Sequence, residues 1–159
     1  MKRIMILTLS AVFTLVGAAV GRAESAQEIG TKVLIQYQEI QVALASDTTD
    51  GVREAAARII ETVKPCECTQ GEMEAAQAVV DAATAMDGAD LAALREQLKA
   101  LSKALPAYLE VTGVDSAQLY FCPMVKAYWL QEKGDGATRN PYYGKAMPSC
   151  GVKVERVAG

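Results

Sequence analysis

Residues 91–111 read LAALREQLKALSKALPAYLEV, and their six leucines are spaced by three or four positions. In an α-helix this spacing collects the apolar side chains on one face, which is then buried against another element. Asp90 can cap the first turn, because its side chain can accept from unpaired backbone N–H groups. Pro106 predicts a kink or an end to the regular helix, since it has no N–H. We predict an amphipathic helix over residues 90–112.

Three earlier stretches show the same period. Apolar residues recur every three or four positions in residues 26–45, 51–64 and 72–86, and short polar connections separate them. Four amphipathic helices joined by short connections are typical of an antiparallel up-and-down four-helix bundle. We therefore predict an all-α fold.

The composition changes after the fourth helix. Six of the nine aromatic residues lie within 24 consecutive positions, namely Tyr120, Phe121, Tyr128, Trp129, Tyr142 and Tyr143. The single tryptophan, Trp129, is expected to cover the core. We predict that residues 114–159 form an irregular segment with short extended pieces, packed on one end of the bundle.

The N-terminus has the pattern of a secretory signal peptide. Lys2 and Arg3 precede an uncharged, mostly apolar run of 17 residues, and small residues follow at positions 21 and 23. We predict that residues 1–23 are removed and that residues 24–159 form one periplasmic domain with no membrane span. An uncleaved anchor is the alternative, because the run is at the lower limit for a spanning helix.

Charge and composition argue against several function classes. The full chain has a formal net charge of −3, and loss of the three positive residues Lys2, Arg3 and Arg22 leaves −6. A negative domain is a poor binder of nucleic acid, whose phosphates are neutralised by lysine and arginine. The chain has no histidine, which argues against His-ligated zinc, copper(II) or haem and against Ser-His or Cys-His catalytic pairs. We predict that the protein is not an enzyme.

The four cysteines and two of the methionines are the candidate site residues. Cys122-Pro-Met124 and Met147-Pro-Ser-Cys150 offer two thiolates and two thioethers, which are soft donors that suit Cu(I) or Ag(I). Cys66 and Cys68 can add to this set. In an up-and-down bundle, the second connection and the end of the fourth helix lie at the same end. All four thiols are therefore expected to converge at that end.

A disulfide is the alternative use of the same cysteines. Thiols tend to oxidise in exported proteins, and four cysteines allow three pairings. A Cys122–Cys150 bond would close a loop of roughly 28 residues and stabilise the fold by about 3 kcal/mol. Cys66 and Cys68 would form a strained ring with each other, so they are expected to bind a metal together, pair elsewhere or stay reduced. A reduced Cys122–Cys150 pair can bind a soft ion, whereas an oxidised pair cannot.

Several short motifs follow one another in the last 40 residues. They are Phe121-Cys-Pro-Met124, Ala127-Tyr-Trp-Leu130, Asn140-Pro-Tyr-Tyr-Gly144 with Lys145 and Met147, and Cys150-Gly151. Upstream, Arg95 is followed six residues later by Leu101-Ser102. The order of the C-terminal motifs resembles the pattern C-P-M, G-A-x-W-L and N-P-Y-[FY]-G-x-x-M-x-x-C-G of a bacterial periplasmic family, domain of unknown function 3347. The upstream residues resemble the R-x5-L-S signature of the same family.

The resemblance implies a helical bundle and heavy-metal handling in the periplasm. Members of the family occur alone or fused to periplasmic adaptor subunits of copper/silver-type efflux pumps. This chain departs from the pattern between C-P-M and the tryptophan motif. It has only Val125 and Lys126 there, where the family usually carries a glycine-containing insert.

The leading hypothesis is a non-enzymatic periplasmic domain that binds Cu(I) or another soft ion, with an efflux-pump adaptor as its partner. The alternative is a disulfide-stapled helical interaction module with no metal role. The expected metal ligands are Cys122, Met124, Met147 and Cys150, assisted by Cys66 and Cys68.

Overall fold

Four helices form the first part of the chain, as predicted. The computed structural model describes residues 24–63, 69–155 and 157. Each helix begins and ends within two residues of its predicted bound, and each packs against its neighbours in chain order, with α4 also contacting α1. The observed bounds are Ala26–Ala45 for α1, Val52–Val63 for α2, Gln70–Thr84 for α3 and Leu91–Val111 for α4.

Local capping explains where the helices begin. The Ser25 hydroxyl accepts from the backbone N–H of Glu28, and the Glu28 carboxylate accepts from the backbone N–H of Ser25. Thr69 and Glu72 form the same reciprocal pair at the start of α3. Asp90 caps α4 as predicted, since its Oδ1 accepts a backbone N–H of the first turn. These bonds satisfy donors that the helix itself leaves unpaired.

The longest helix passes through its proline. α4 continues beyond Pro106 to Val111, which confirms the predicted range, so the helix does not end at the proline. Packing of its buried leucine face offsets the hydrogen bond that Pro106 cannot donate. None of the helices in the described ranges is long and apolar enough to cross a membrane.

A three-stranded antiparallel sheet follows α4, so the predicted all-α class is wrong and the fold is mixed α/β. β1 is Ala117–Cys122, β2 is Ala127–Glu132 and β3 is Val152–Val154, in the order β2-β1-β3. β1 and β2 pair across a four-residue turn, with Tyr120 opposite Trp129. Aromatic side chains pack well on a pleated surface. The pairing also satisfies backbone groups that an irregular segment would leave unpaired.

The sheet lies along the side of α1 and α4 and not on one end of the bundle. β2 contacts both helices. Tyr37, in the middle of α1, accepts a hydrogen bond from the Leu130 N–H at 3.2 Å, and its hydroxyl lies 2.7 Å from Ser102 Oγ in α4. The Tyr37 and Ser102 hydroxyls therefore attach β2 to the middle of both helices. The prediction that the C-terminal segment packs on one end of the bundle is wrong.

Stability should fall as pH rises from about 10 to about 12. Burial raises the pKa of Tyr37 to about 12, against the opposing effect of its hydrogen bonds with Ser102 and Leu130. An unfolded tyrosine ionises near pH 10, so above that pH the unfolded state binds fewer protons and the free energy of unfolding decreases, by about 3 kcal/mol at most. In urea unfolding, the free energy of unfolding should fall less steeply between these pH values for Tyr37→Phe than for wild type. An equally steep fall in the variant would show that Tyr37 is not the group responsible.

Candidate metal centre

The end of β1 and the start of β3 bring two predicted site cysteines together. Cys122 is the last residue of β1, and Cys150 lies two residues before β3. Phe121 is opposite Val152 in the antiparallel register, so the chain around Cys150 returns beside Cys122. The two Sγ atoms are 3.5 Å apart, and both thiols are free. Cys122 is fully buried and Cys150 is partly exposed.

The two thiols differ in acidity. Burial raises the pKa of Cys122, but the backbone N–H groups of Val125 and Met124, the Asn140 side chain and the Cys150 thiol donate to its sulfur and together lower that pKa below its ordinary value. The pKa of Cys150 is raised, first by its hydrogen bond to Cys122 and then by burial. The shared proton therefore stays on Cys150 when Cys122 ionises. A thiolate is the form that binds a metal.

Asn140 holds the two cysteines in this arrangement. Its side chain is fully buried, and its Nδ2 donates to the Cys150 carbonyl at 2.6 Å while its Oδ1 accepts from the Tyr142 N–H at 2.8 Å. The same side chain lowers the pKa of Cys122. In the sequence, Asn140 stands out only as the first residue of the Asn140-Pro-Tyr-Tyr-Gly144 motif, and an Asn-Pro pair is a common turn signal that could have pointed to it.

Gly151, the residue after Cys150, packs directly against Trp129. Trp129 is 0% exposed, as predicted for a residue that covers the core, and its ring stacks on Tyr120 with centroids 5.1 Å apart. A Cβ added to Gly151 would lie 2.1 Å from Cη2 of Trp129. Only glycine lets the backbone approach the ring so closely. This contact therefore restrains the backbone next to Cys150.

Arg95 attaches the segment between β2 and β3 to the helices. Its Nε donates to the Pro141 carbonyl at 2.7 Å, and its Nη2 donates to the Leu44 carbonyl at 2.8 Å and to Asp47 Oδ1 at 2.6 Å. The Arg95 guanidinium lowers the pKa of Asp47. Gly144 passes close by with φ +54°, and a Cβ there would lie 2.0 Å from Asp47 Oδ1. The motif residues Arg95 and Gly144 thus have structural roles.

The two predicted methionine ligands lie on the surface beside the thiol pair. Met124 is 64% exposed and Met147 is 37% exposed. Met124 follows Cys122 in the β1–β2 turn, and the Met147 carbonyl accepts from the Cys150 N–H at 3.2 Å. Each methionine therefore belongs to the same turn as one cysteine, with its thioether side chain accessible to solvent.

Cys66 and Cys68 lie outside the described residues, so their part in the site stays a prediction. The reasoning that placed all four thiols at one end of the bundle is corrected for Cys122 and Cys150. Cys122 is at the end of the central strand of the sheet, and Cys150 lies just before β3. The sheet runs along the side of α1 and α4, because β1 turns back along the helices after α4 ends. The helices that flank residues 64–68 are α2 and α3.

The two sulfur atoms are close enough to bind one ion together, since they lie 3.5 Å apart. With metal–sulfur bonds of about 2.3 Å, both thiolates could reach the same ion. Within the described ranges, no three His, Cys, Asp or Glu side chains are grouped closely enough to hold a metal ion. The further donors that the sequence predicts are the thioethers of Met124 and Met147.

Comparison with protein-family models, curated proteins and solved structures gave no match. The resemblance of the C-terminal motifs to the periplasmic family therefore stays a prediction. The geometry of the thiol pair is the remaining basis for a functional proposal.

The two thiols should ionise in separate steps, Cys122 first. Ultraviolet thiolate absorbance of the reduced Cys66→Ser, Cys68→Ser variant should show one transition below the ordinary cysteine pKa and one above it. Asn140→Ala should move the first transition to higher pH, because it removes a donor to the Cys122 thiolate. A single transition at the ordinary pKa in both proteins would contradict the unequal pair.

Proposed function

We propose that the protein is a non-enzymatic exported domain that binds Cu(I) or a related soft ion. The observation that carries this is the pair of free thiols, Cys122 and Cys150, with Sγ atoms 3.5 Å apart. Hydrogen bonds to the Cys122 sulfur also lower its pKa. N–H groups that point at a sulfur stabilise its negative charge before an ion arrives. The site is therefore prepared to accept a cation.

The donor types favour Cu(I) over harder ions. Thiolate and thioether ligands select soft metals, whereas Mg²⁺, Ca²⁺ and Mn²⁺ prefer oxygen. The chain contains no histidine, so imidazole cannot complete the coordination shell. We propose Cys122 and Cys150 as the principal ligands, Met124 and Met147 as additional donors from the surface, and Cys66 and Cys68 as assisting residues.

The cellular setting is proposed from the sequence. The leader pattern of residues 1–23 supports periplasmic localisation. The motif resemblance supports heavy-metal handling with a periplasmic efflux adaptor as partner.

Titration of the reduced protein with Cu(I) against a competing chelator tests the proposal. One ion should bind per chain with an affinity that competes with the chelator. The Cys122→Ser, Cys150→Ser double variant should lose this binding, because both thiolates are removed at once. Unchanged affinity in the double variant would refute the assignment of the site.

A disulfide-stapled interaction module is the second candidate, favoured by the same short distance. Two thiols 3.5 Å apart need only a small movement to form a bond, and an exported protein meets oxidising conditions. Intact mass of the periplasmic protein, before and after thiol alkylation, separates the candidates. A mass lower by two hydrogens for this pair, together with indifference of the fold to copper, supports the staple. Alkylated thiols or bound metal support the soft-ion site.

A further inference from the structure

Charge is unevenly distributed between the helical part and the strand-bearing part. Residues 24–116 contain 16 acidic and 7 basic side chains, whereas residues 117–159 contain 3 acidic and 6 basic side chains. The segment that carries Cys122 and Cys150 is therefore positive within a chain that is otherwise strongly negative. A patch of one sign attracts partners of the opposite sign and raises their encounter rate.

Three of these basic residues lie around the thiol pair. Lys126 ends the turn that follows Cys122, Lys145 lies two residues before Met147, and Lys153 is the middle residue of β3. All three are exposed. Within residues 24–63, 69–155 and 157, none of the three ammonium groups has a carboxylate within ion-pair distance. None of the three is therefore held in an ion pair, although the Lys145 charge acts on nearby Asp47.

Two acidic residues near this group already have partners. Asp47 accepts from the backbone N–H of Lys145 and forms its ion pair with Arg95. The charge of Lys145 also helps to lower the pKa of Asp47, so this lysine is partly compensated. Lys99 and Glu96, on the adjacent first half of α4, pair with each other. Within the described residues, Lys126 and Lys153 have no ion-pair partner.

Exposed thioethers share this surface. Met124 and Met147 are accessible on the two turns that carry the cysteines, and Cys150 is the more accessible of the two thiols. We define Lys126, Lys145 and Lys153 together with these two methionines as the lysine–methionine face. The face combines positive charge, which attracts a partner, with soft donors next to the proposed ion.

We propose that the lysine–methionine face docks an acidic protein segment that carries its own soft donors and exchanges the ion with the Cys122–Cys150 pair. This inference rests on the proposed function and names the partner class of the same site. In the exchange, a partner sulfur would bind the ion before its bonds to Cys150 and then to Cys122 break. Cys150 regains a proton from solvent, and neither sulfur nor metal changes its oxidation state.

A protein partner fits the face better than an anionic membrane. A soft ion is passed on only if the receiver offers a sulfur donor, which phospholipid headgroups lack. Electrostatic steering by three lysines also acts mainly on the association rate. An acidic segment with methionine or cysteine residues supplies both the charge and the donor.

Transfer kinetics with a synthetic probe test the inference. The probe is a Cu(I)-loaded peptide of alternating acidic and methionine residues, and its twin carries Asn and Gln in place of the acids. Transfer from the acidic peptide to the wild-type protein at low salt should be about tenfold faster than from the twin, and the difference should shrink as salt is added. In the triple variant Lys126→Glu, Lys145→Glu, Lys153→Glu, the two peptides should transfer Cu(I) at the same rate.

A matched triple variant controls for net charge. Lys32→Glu, Arg58→Glu, Lys103→Glu changes the charge equally on the exposed faces of the helices and should keep the preference for the acidic peptide. Equal transfer rates from the two peptides to the wild-type protein would overturn the inference. So would an equal loss of the preference for the acidic peptide in the two triple variants. So would binding to phosphatidylglycerol vesicles in the absence of any peptide preference.

A copper-free measurement separates the two proposals. Fluorescence anisotropy of the labelled, metal-free acidic peptide should show binding to wild type and loss only in the Lys126, Lys145 and Lys153 variant. If wild type binds this peptide but takes up no Cu(I), the docking face stands as an interaction surface while the ion-binding function and the exchange step fail. If wild type takes up Cu(I) but ignores peptide charge, the ion-binding function stands and the docking face is refuted.

Discussion

Cys122→Ser and Cys150→Ser should each lower the affinity of the reduced protein for Cu(I) by more than about 100-fold. Removing residues that only support metal ligands already costs about 10- to 100-fold, and a lost thiolate removes a bond and a negative charge together. Cys122→Ser should have the larger effect, because the N–H groups that converge on its sulfur would then face a neutral hydroxyl. Competition with a Cu(I) chelator measures both affinities.

The methionines should matter less than the cysteines. Met124→Leu and Met147→Leu should each lower Cu(I) affinity by about tenfold, since an exposed neutral thioether replaces a solvent ligand but adds no charge. Met73→Leu is the matched control, because Met73 is similarly exposed on α3. A control variant that binds as weakly as the Cys122→Ser protein would show that the cysteines act through the fold and not as ligands.

Gly151→Ala should lower the free energy of unfolding by about 3 kcal/mol. The added Cβ would lie 2.1 Å from Cη2 of Trp129, a separation that no carbon pair tolerates. The indole cannot move aside easily, because it stacks on Tyr120 and its Nε1 donates to Gln131 Oε1 at 3.0 Å. The backbone at Gly151 must shift instead, and Cys150 shifts with it. Urea unfolding measures the first effect and Cu(I) affinity the second.

Gly136→Ala provides the control for this prediction. Nothing lies within 4 Å of a Cβ added at Gly136, so its unfolding free energy should stay within about 0.5 kcal/mol of wild type. If Gly151→Ala is as stable as Gly136→Ala, the close packing of residue 151 on Trp129 is wrong. If it is destabilised but binds Cu(I) normally, the contact between Gly151 and Trp129 does not control the position of Cys150.

The helices could be predicted from sequence because their signal is local and periodic. The six leucines of α4 repeat over 21 residues, and capping residues such as Asp90 mark where the period begins. The sheet could not be predicted in the same way. β3 has three residues, and it pairs with β1 about 30 positions earlier in the chain. Such pairing depends on long-range contacts, which local patterns do not encode.

The site was partly predictable for a similar reason. Cys122 and Cys150 could be singled out by residue type, since soft donors and the absence of histidine restrict the chemistry. Their separation, and the acidity of Cys122, depend on where Asn140 and the turn N–H groups point. Those directions follow from the tertiary fold. The same holds for Gly151, whose need for glycine is evident only from its contact with Trp129.

X-ray absorption of the reduced protein loaded with one equivalent of Cu(I) tests the central claim most directly. The account predicts a first coordination shell made of sulfur alone, with both thiolates of Cys122 and Cys150 contributing. In the Cys122→Ser, Cys150→Ser variant this shell should be lost at the same loading. A shell containing nitrogen or oxygen in wild type, or a spectrum unchanged in the double variant, would contradict the claim.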